Sequence, residues 1–258
     1  MIQLLKNLAR KTFIHGMVRR SRVRSTVRAW TPHDDEMVAF YSQFVPAGET
    51  CFDVGANVGN RVKVFLKLGA KVVAVEPQQE CQQILKAVFG ARPNFSLVPK
   101  AMGAAEGKAE IVIADVSTVS SMSKEWIEKV QSSGRFGGMQ WTRKRTVPVT
   151  TLDKLIDQFG APAFIKIDVE GYEYQVIQGL SRPVRALSLE FTPEFLDSTL
   201  RCIDHLARLG DIRLNYSLGE SMKLASAEWH TIPEMTAILD GFRGDNELVG
   251  DLYVRFVS

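Results

Sequence analysis

The run Thr50-Cys-Phe-Asp-Val-Gly-Ala-Asn-Val-Gly59 constrains this chain more than any other, because it closes an apolar strand with a carboxylate and then turns through two glycines into a helix. Asp53 marks where the strand runs out. Gly55 and Gly59 let the backbone come close to a ligand, and Arg61 to Leu68 reads as the following helix. The next strand, Lys71 to Glu76, finishes in a second carboxylate about twenty residues later, where a ribose-binding acid is expected, and Pro77 turns the chain after it.

The charges select the ligand. A dinucleotide sets its pyrophosphate on such a glycine turn and helix N-terminus, where Asp53 would repel it. S-adenosylmethionine carries no phosphate but has an ammonium and a sulfonium, so an acid beside the turn attracts it, and Glu76 can accept both ribose hydroxyls. An NAD-type oxidoreductase is the competing reading of the same fold.

At 258 residues and 45% apolar composition the chain suits one α/β domain with additions. The net charge of +3 hides an asymmetry: Lys6, Arg10, Lys11, Arg19, Arg20, Arg22, Arg24 and Arg28 precede the first acid, Asp34, so the remainder is mildly acidic. We divide the chain into a basic amphipathic leader, residues 1–34, and a main domain, residues 35–258. The leader reads first as a helix packing its apolar residues on the domain or on a second subunit, which makes a homo-oligomer an option; contact with an anionic membrane or nucleic acid is the alternative. It lacks the pattern of a secretory signal, and no segment has the length and apolarity of a membrane span. Cys51, Cys81 and Cys202 are odd in number and sit in apolar patterns, which suits reduced core thiols and a cytoplasmic setting.

Along the chain, strands and helices alternate: helix Gln79 to Phe89, strand Phe95 to Val98, and an added strand Ala109 to Ala114. Residues 115–145 read as a partly helical lid in which Ser120, Ser121, Trp126 and Trp141 would cover adenine or acceptor, or else as a surface loop that covers nothing. Thr151 is the expected cap of a helix through Leu152, Leu155 and Ile156. The strand from Ala163 emits Lys166, Asp168 and Glu170 in alternation, all on one face, and stops at Gly171. A short helix from Tyr172 to Leu180, a strand from Arg185 ending in Glu190, a helix from Pro193 to Leu209, and strands Arg213 to Ser217 and Leu252 to Val257 complete the set.

With Phe52-Asp-Val-Gly-Ala-Asn-Val-Gly59, Val75-Glu-Pro77, Ala101-Met-Gly103, Thr151-Leu-Asp153 and above all Ile165-Lys-Ile-Asp-Val-Glu-Gly-Tyr-Glu173, the sequence resembles the FkbM family of S-adenosylmethionine-dependent methyltransferases over roughly residues 35 to 257. The resemblance implies a class I methyltransferase, Rossmann-like sheet of seven mostly parallel strands with helices on both faces and the last strand antiparallel. It also implies methyl transfer to a hydroxyl oxygen of a sugar, glycan or polyketide. By position, Asp53, Gly55, Asn57 and Gly59 would form the methionine-side loop, Glu76 with Pro77 the ribose side, and Ala101 the adenine side, with Asp168 near the sulfonium; the leader and the lid, with Ser120 as its cofactor contact, lie outside the match.

An alcohol is a poor nucleophile at neutral pH, so the reaction needs in-line alignment and a proton acceptor. Asp168, Glu170 and Glu190 are the strand-end acids placed for that role. Two of them could instead hold magnesium; the metal-free reading is preferred here, with Lys166 neutralising part of the cluster. His15, His33, His205 and His230 occupy no position that the chemistry asks for, although His230, in the loop before Pro233, is the one that could approach.

Overall fold

The computed structural model describes residues 21–114, 120–135, 139–245 and 247–257. Most of the basic leader, residues 1–20 with His15, and residues 115–119 and 136–138 of the expected lid therefore lie outside the described residues. Residues 21–28 are helical and lead to α1 (Pro32–Tyr41), which opens with a capping box between Thr31 and Asp34.

The element order that follows is β1 (Thr50–Val54), α2 (Asn60–Lys67), β2 (Lys71–Val75), α3 (Gln79–Phe89), β3 (Phe95–Val98), β4 (Ala101–Met102), β5 (Gly107–Ala114), α4 (Lys124–Ser133), β6 (Trp141–Thr150), α5 (Leu152–Phe159), β7 (Phe164–Ile167), α6 (Glu173–Ile177), β8 (Ala186–Phe191), a 3-10 turn (Pro193–Phe195), α7 (Leu196–Ala207), β9 (Ile212–Leu218), α8 (Ile232–Asp240) and β10 (Gly250–Phe256). Seven strands form one sheet in the order β3-β2-β1-β7-β8-β10-β9. β1, β2, β3, β7 and β8 run parallel, while β10, the last in the chain, is antiparallel to both of its neighbours. This is the expected α/β class with its antiparallel final strand.

Alternation along each strand divides the core in two. Phe52, Val54, Ile165, Ile167, Leu187 and Leu189 point to one face and pack against α5, α6, α7 and α8 through Leu155, Val176, Leu206 and Leu239. Cys51, Ala74, Phe164, Ala186 and Tyr253 point to the other and meet α1, α2 and α3 through Tyr41, Phe65 and Leu85. Asp53 and Lys166, register partners on β1 and β7, continue this second row toward the strand ends. Polar side chains there are enclosed by an apolar neighbourhood before any ligand arrives. All three cysteines are buried thiols outside any disulfide, consistent with core residues. Among the described residues no helix is long and apolar enough to cross a membrane.

A smaller three-stranded sheet, β4-β6-β5, stands beside the main one. It corrects the lid boundary: residues 141–145 belong to β6, paired antiparallel with β5 around a bulge at Ile113/Ala114. The rest of the expected lid supplies α4, capped by Ser123, whose side chain accepts the Trp126 N–H. Thr151 caps α5 as expected, accepting the Lys154 N–H.

Candidate active site

Two loops meet at the carboxyl ends of β1 and β7. The first leaves β1 through Gly55, whose N–H bonds Val75 O at 3.0 Å, and the second leaves β7 with Asp168 N–H on Val54 O at 3.0 Å. They cross so closely that a Cβ on Gly55, at φ 84°, would lie 1.8 Å from Asp168 O. Glycine is required there because the second loop's own backbone fills the space.

Between these loops, β2 and the small sheet lies a cavity of about 290 Å³. Asp53, Gly55, Asn57, Glu76, Pro77, Ala101, Ser120, Asp168, Glu170 and Glu190 all line it. One expected member does not: Gly59 faces α3, where an added Cβ would come 2.5 Å from the Phe89 ring, so this glycine, at φ 98°, serves helix packing rather than ligand approach.

Asp53 is 2% exposed, and its Oδ2 is buried without a hydrogen-bond partner among the described residues. Burial pushes its carboxyl up to about 7, against the pull of Lys166 and Arg61 and with the push of Asp168. Glu76, also 2% exposed, receives the Asn57 N–H on Oε2 at 2.8 Å and the Gln78 N–H on Oε1 at 2.6 Å. Its carboxyl too is raised to about 7, burial outweighing those two donors.

The acids of the second loop are not arranged as strand alternation predicts. β7 stops at Ile167, and Glu170 (φ 54°) and Gly171 (φ 82°) both turn left-handed. The turn, not a shared strand face, brings Asp168 and Glu170 to the cavity together with Lys166. Asp168, Glu170 and Glu190 place carboxylate oxygens within 4.8 Å of one another, the one such set among the described residues. The cation this cluster has of its own is Lys166, buried 3.3 Å from Asp168 Oδ2 and 3.0 Å from Asp251 Oδ1. Burial opposes the ammonium, but Asp251 and Asp168 outweigh it and hold Lys166 charged. Burial, with the neighbouring carboxylates, raises Glu170 and Glu190 well above the usual range.

Of Ser120, Ser121, Trp126 and Trp141 only Ser120 lines the cavity, its Oγ held by the Ala114 N–H at 3.2 Å, and Met122 of the same segment joins it there. Ser121 instead donates to Glu170 O at 2.5 Å and fixes the turn. Trp126 is buried under Gly171, where a Cβ would sit 2.2 Å from the indole, and Trp141 packs into the same cluster. Neither tryptophan covers the cavity. None of the described histidines lines it: His205 meets Leu180 O, His230 bridges to Leu214, and His33 lies beside Glu36, reaching only the outer wall residue Glu220 at 3.7 Å.

Sequence reading missed Arg61, Glu220, Lys100, Met102 and Tyr172 as cavity walls. Arg61, second in α2, was within reach of the glycine-turn signal. Its partner Glu220, 2.5 Å away, is 159 positions distant and has no local signal.

The methyltransferase FkbM domain pattern matches residues 53–213 of the chain. No curated protein matches. Among solved structures the chain is similar to a precorrin-6y C5,15-methyltransferase from Geobacter metallireducens GS-15 (12% identity, 85% of this chain and 87% of that one, TM-score 0.45). It is also similar to an O-methyltransferase from Bacillus cereus in complex with SAH (8% identity, 94% and 91%, TM-score 0.46).

Proposed function

The chain belongs to the FkbM methyltransferase family, and from that premise we propose that it transfers a methyl group from S-adenosylmethionine to a hydroxyl oxygen of a sugar, glycan or other natural-product acceptor. The observation that carries this reading is Asp53 Oδ2, a buried carboxyl oxygen that meets no hydrogen-bond partner among the described residues, on the wall of the cavity. An unsatisfied buried acceptor is costly unless a donor meets it, and the ammonium of this cofactor is such a donor. The remaining walls fit the rest: Glu76 keeps acceptor capacity for ribose hydroxyls, and Pro77, Ala101, Met102 and Ile111 give an apolar face for adenine.

The cofactor supplies an electrophilic methyl group on a positively charged sulfur. This chain's residues do the rest. Asp53 and Glu76 hold the two polar ends, and the crossing of the loops at Gly55 fixes Asp168 relative to them. Lys166, 3.3 Å from Asp168 Oδ2, neutralises part of the acid cluster and fixes Asp168 where it can orient the acceptor, while Glu170 and Glu190 border the same space and handle the acceptor's proton.

Calorimetry with S-adenosylhomocysteine tests the reading. One-site binding that D53A abolishes, together with methyl transfer to a hydroxyl in a panel of sugars, glycans and polyketide alcohols, is the expected result. Tight NADH binding with no affinity for S-adenosylhomocysteine overturns it.

A further inference from the structure

Glu190 borders not one cavity but two. The second is water-sized, about 10 Å³, and its other polar walls are Glu173, Thr192 and Thr199, with Gly171 and Trp126 beside them. Thr192 is 6% exposed and its Oγ1 is buried with no partner among the described residues. Glu173, also 6% exposed, accepts the Val169 N–H at 3.1 Å and the Gly171 N–H at 3.3 Å on Oε1. A space of this size holds one water when two to four polar groups surround it, and these four residues meet that condition.

We propose that Glu190, one ordered water and Glu173 form a proton relay in which Glu173, outside the large cavity, is where the acceptor's proton comes to rest. The proposal rests on the methyl-transfer reading above. As the acceptor oxygen bonds to the methyl carbon, the carbon–sulfur electron pair stays on sulfur and the acceptor's O–H proton moves to one oxygen of a neutral Glu190. The proton on the other Glu190 oxygen passes to the water, and a proton of that water passes to the Glu173 carboxylate. Glu190 and the water end as they began, the acceptor has lost one proton, and Glu173 has gained it.

The surroundings suit these starting states. Glu190 is faced by Asp168 and Glu170 from the second loop, by Lys166 of β7 and by Glu173 of α6, and lies opposite Asp251 of β10. Burial and the neighbouring acids hold it neutral. Glu173 faces Asp168 and the buried Cys202 of α7. Burial raises it to about 7, but its backbone donors favour the charge, which leaves it ionised above that pH.

The relay is tested first without donor or acceptor. At pH 8 the infrared spectrum of the protein should contain a protonated-carboxyl band that E190Q removes, and E173Q and T192V should each shift that band. A crystal structure should show a water within hydrogen-bond distance of Glu190 and Thr192. With the acceptor from the hydroxyl panel, E173Q should bind S-adenosylhomocysteine within threefold of the parent, lose about 100-fold in kcat, and lose the rise of kcat with pH near 7. T192V, which deletes one hydroxyl and keeps both acids, should lower kcat about tenfold and keep that rise, and it serves if E173Q does not fold. Absence of the water, absence of the band, or an E173Q rate loss with an unchanged pH profile overturns the relay. Failure of the parent to bind S-adenosylhomocysteine overturns the methyl-transfer reading instead, and leaves the band and the water to be judged separately.

Discussion

Asp53→Asn should make the ligand-free protein progressively more stable, relative to its parent, as pH rises. In the folded chain the Asp53 carboxyl titrates near 7 because burial disfavours its charge, whereas the ordinary value is 3.8. Below 3.8 both folded and unfolded states carry the proton, and the group does not bear on stability. Between the two values the unfolded chain has released the proton while the folded chain retains it, so stability falls as pH rises, by about 1.4 kcal/mol per pH unit. From pH 5 to just above 7 this amounts to about 3 kcal/mol. The asparagine variant has no such slope. Its buried amide carries a fixed cost at every pH, which cancels when the same pair of proteins is compared at two pH values; the titration of Glu173 is common to both, and removing the Asp53 charge lessens the upward push on Glu76, which acts in the same direction.

Urea unfolding of both ligand-free proteins at pH 5, 6, 7 and 8 measures the effect. The stability of the variant minus that of the parent should grow by about 3 kcal/mol across the series. The parent should then gain about 2.7 kcal/mol from S-adenosylhomocysteine at 100 times its Kd, and the variant almost nothing. A difference that stays flat with pH would show that Lys166 keeps Asp53 ionised in the folded chain, and the argument from an unsatisfied acid would fail with it.

Gly55→Ala should cost at least about 2 kcal/mol in urea unfolding, through left-handed strain and the 1.8 Å approach to Asp168 O, and about 100-fold in kcat as that loop moves. Glu76→Gln turns an amide N–H₂ toward the Asn57 or Gln78 N–H, so calorimetry should show S-adenosylhomocysteine affinity reduced by about 1.5–3 kcal/mol. Arg135 pairs with Glu194 through two 2.8 Å contacts, with only 9% and 8% of the two side chains exposed. Arg135→Ala should therefore lower unfolding free energy by about 3 kcal/mol by leaving Glu194 buried without its cation, with Ser133 as its remaining side-chain partner, and the double variant R135A/E194Q should recover part of that loss.

What the sequence made legible are features whose cause is local. β1, β2 and β7 are short apolar runs broken by Asp, Glu or Gly, and the acids at their ends lie near the cavity because parallel strands share one carboxyl edge. β6 was partly hidden because Thr142, Arg143, Lys144 and Arg145 show no apolar alternation; its start is set by pairing with β5, with Lys144 3.0 Å from Glu110. The functions of Gly59 and Trp126 were misjudged for a related reason. A glycine that admits a ligand and one that admits a phenylalanine ring look alike in sequence, and so do a tryptophan covering a cavity and one covering a glycine.

The segment Lys166 to Glu173 was the most specific sequence signal, and its geometry explains why so few alternatives fit. Lys166 is fixed by Asp251 and Asp168, and the Asp168 carbonyl requires Gly55 opposite it. The left-handed turn at Glu170 is held by Ser121 on its carbonyl, Gly171 leaves room for Trp126, and Glu173 reaches back to the Val169 and Gly171 N–H groups. Each residue answers to a different partner, so changing any one moves the acids that border the cavity. Such a segment is constrained by the closing of the turn as much as by the reaction. It follows that substitutions in it which leave the carboxylates untouched, such as Gly171→Ala against the indole, should reduce turnover nearly as far as removing an acid does.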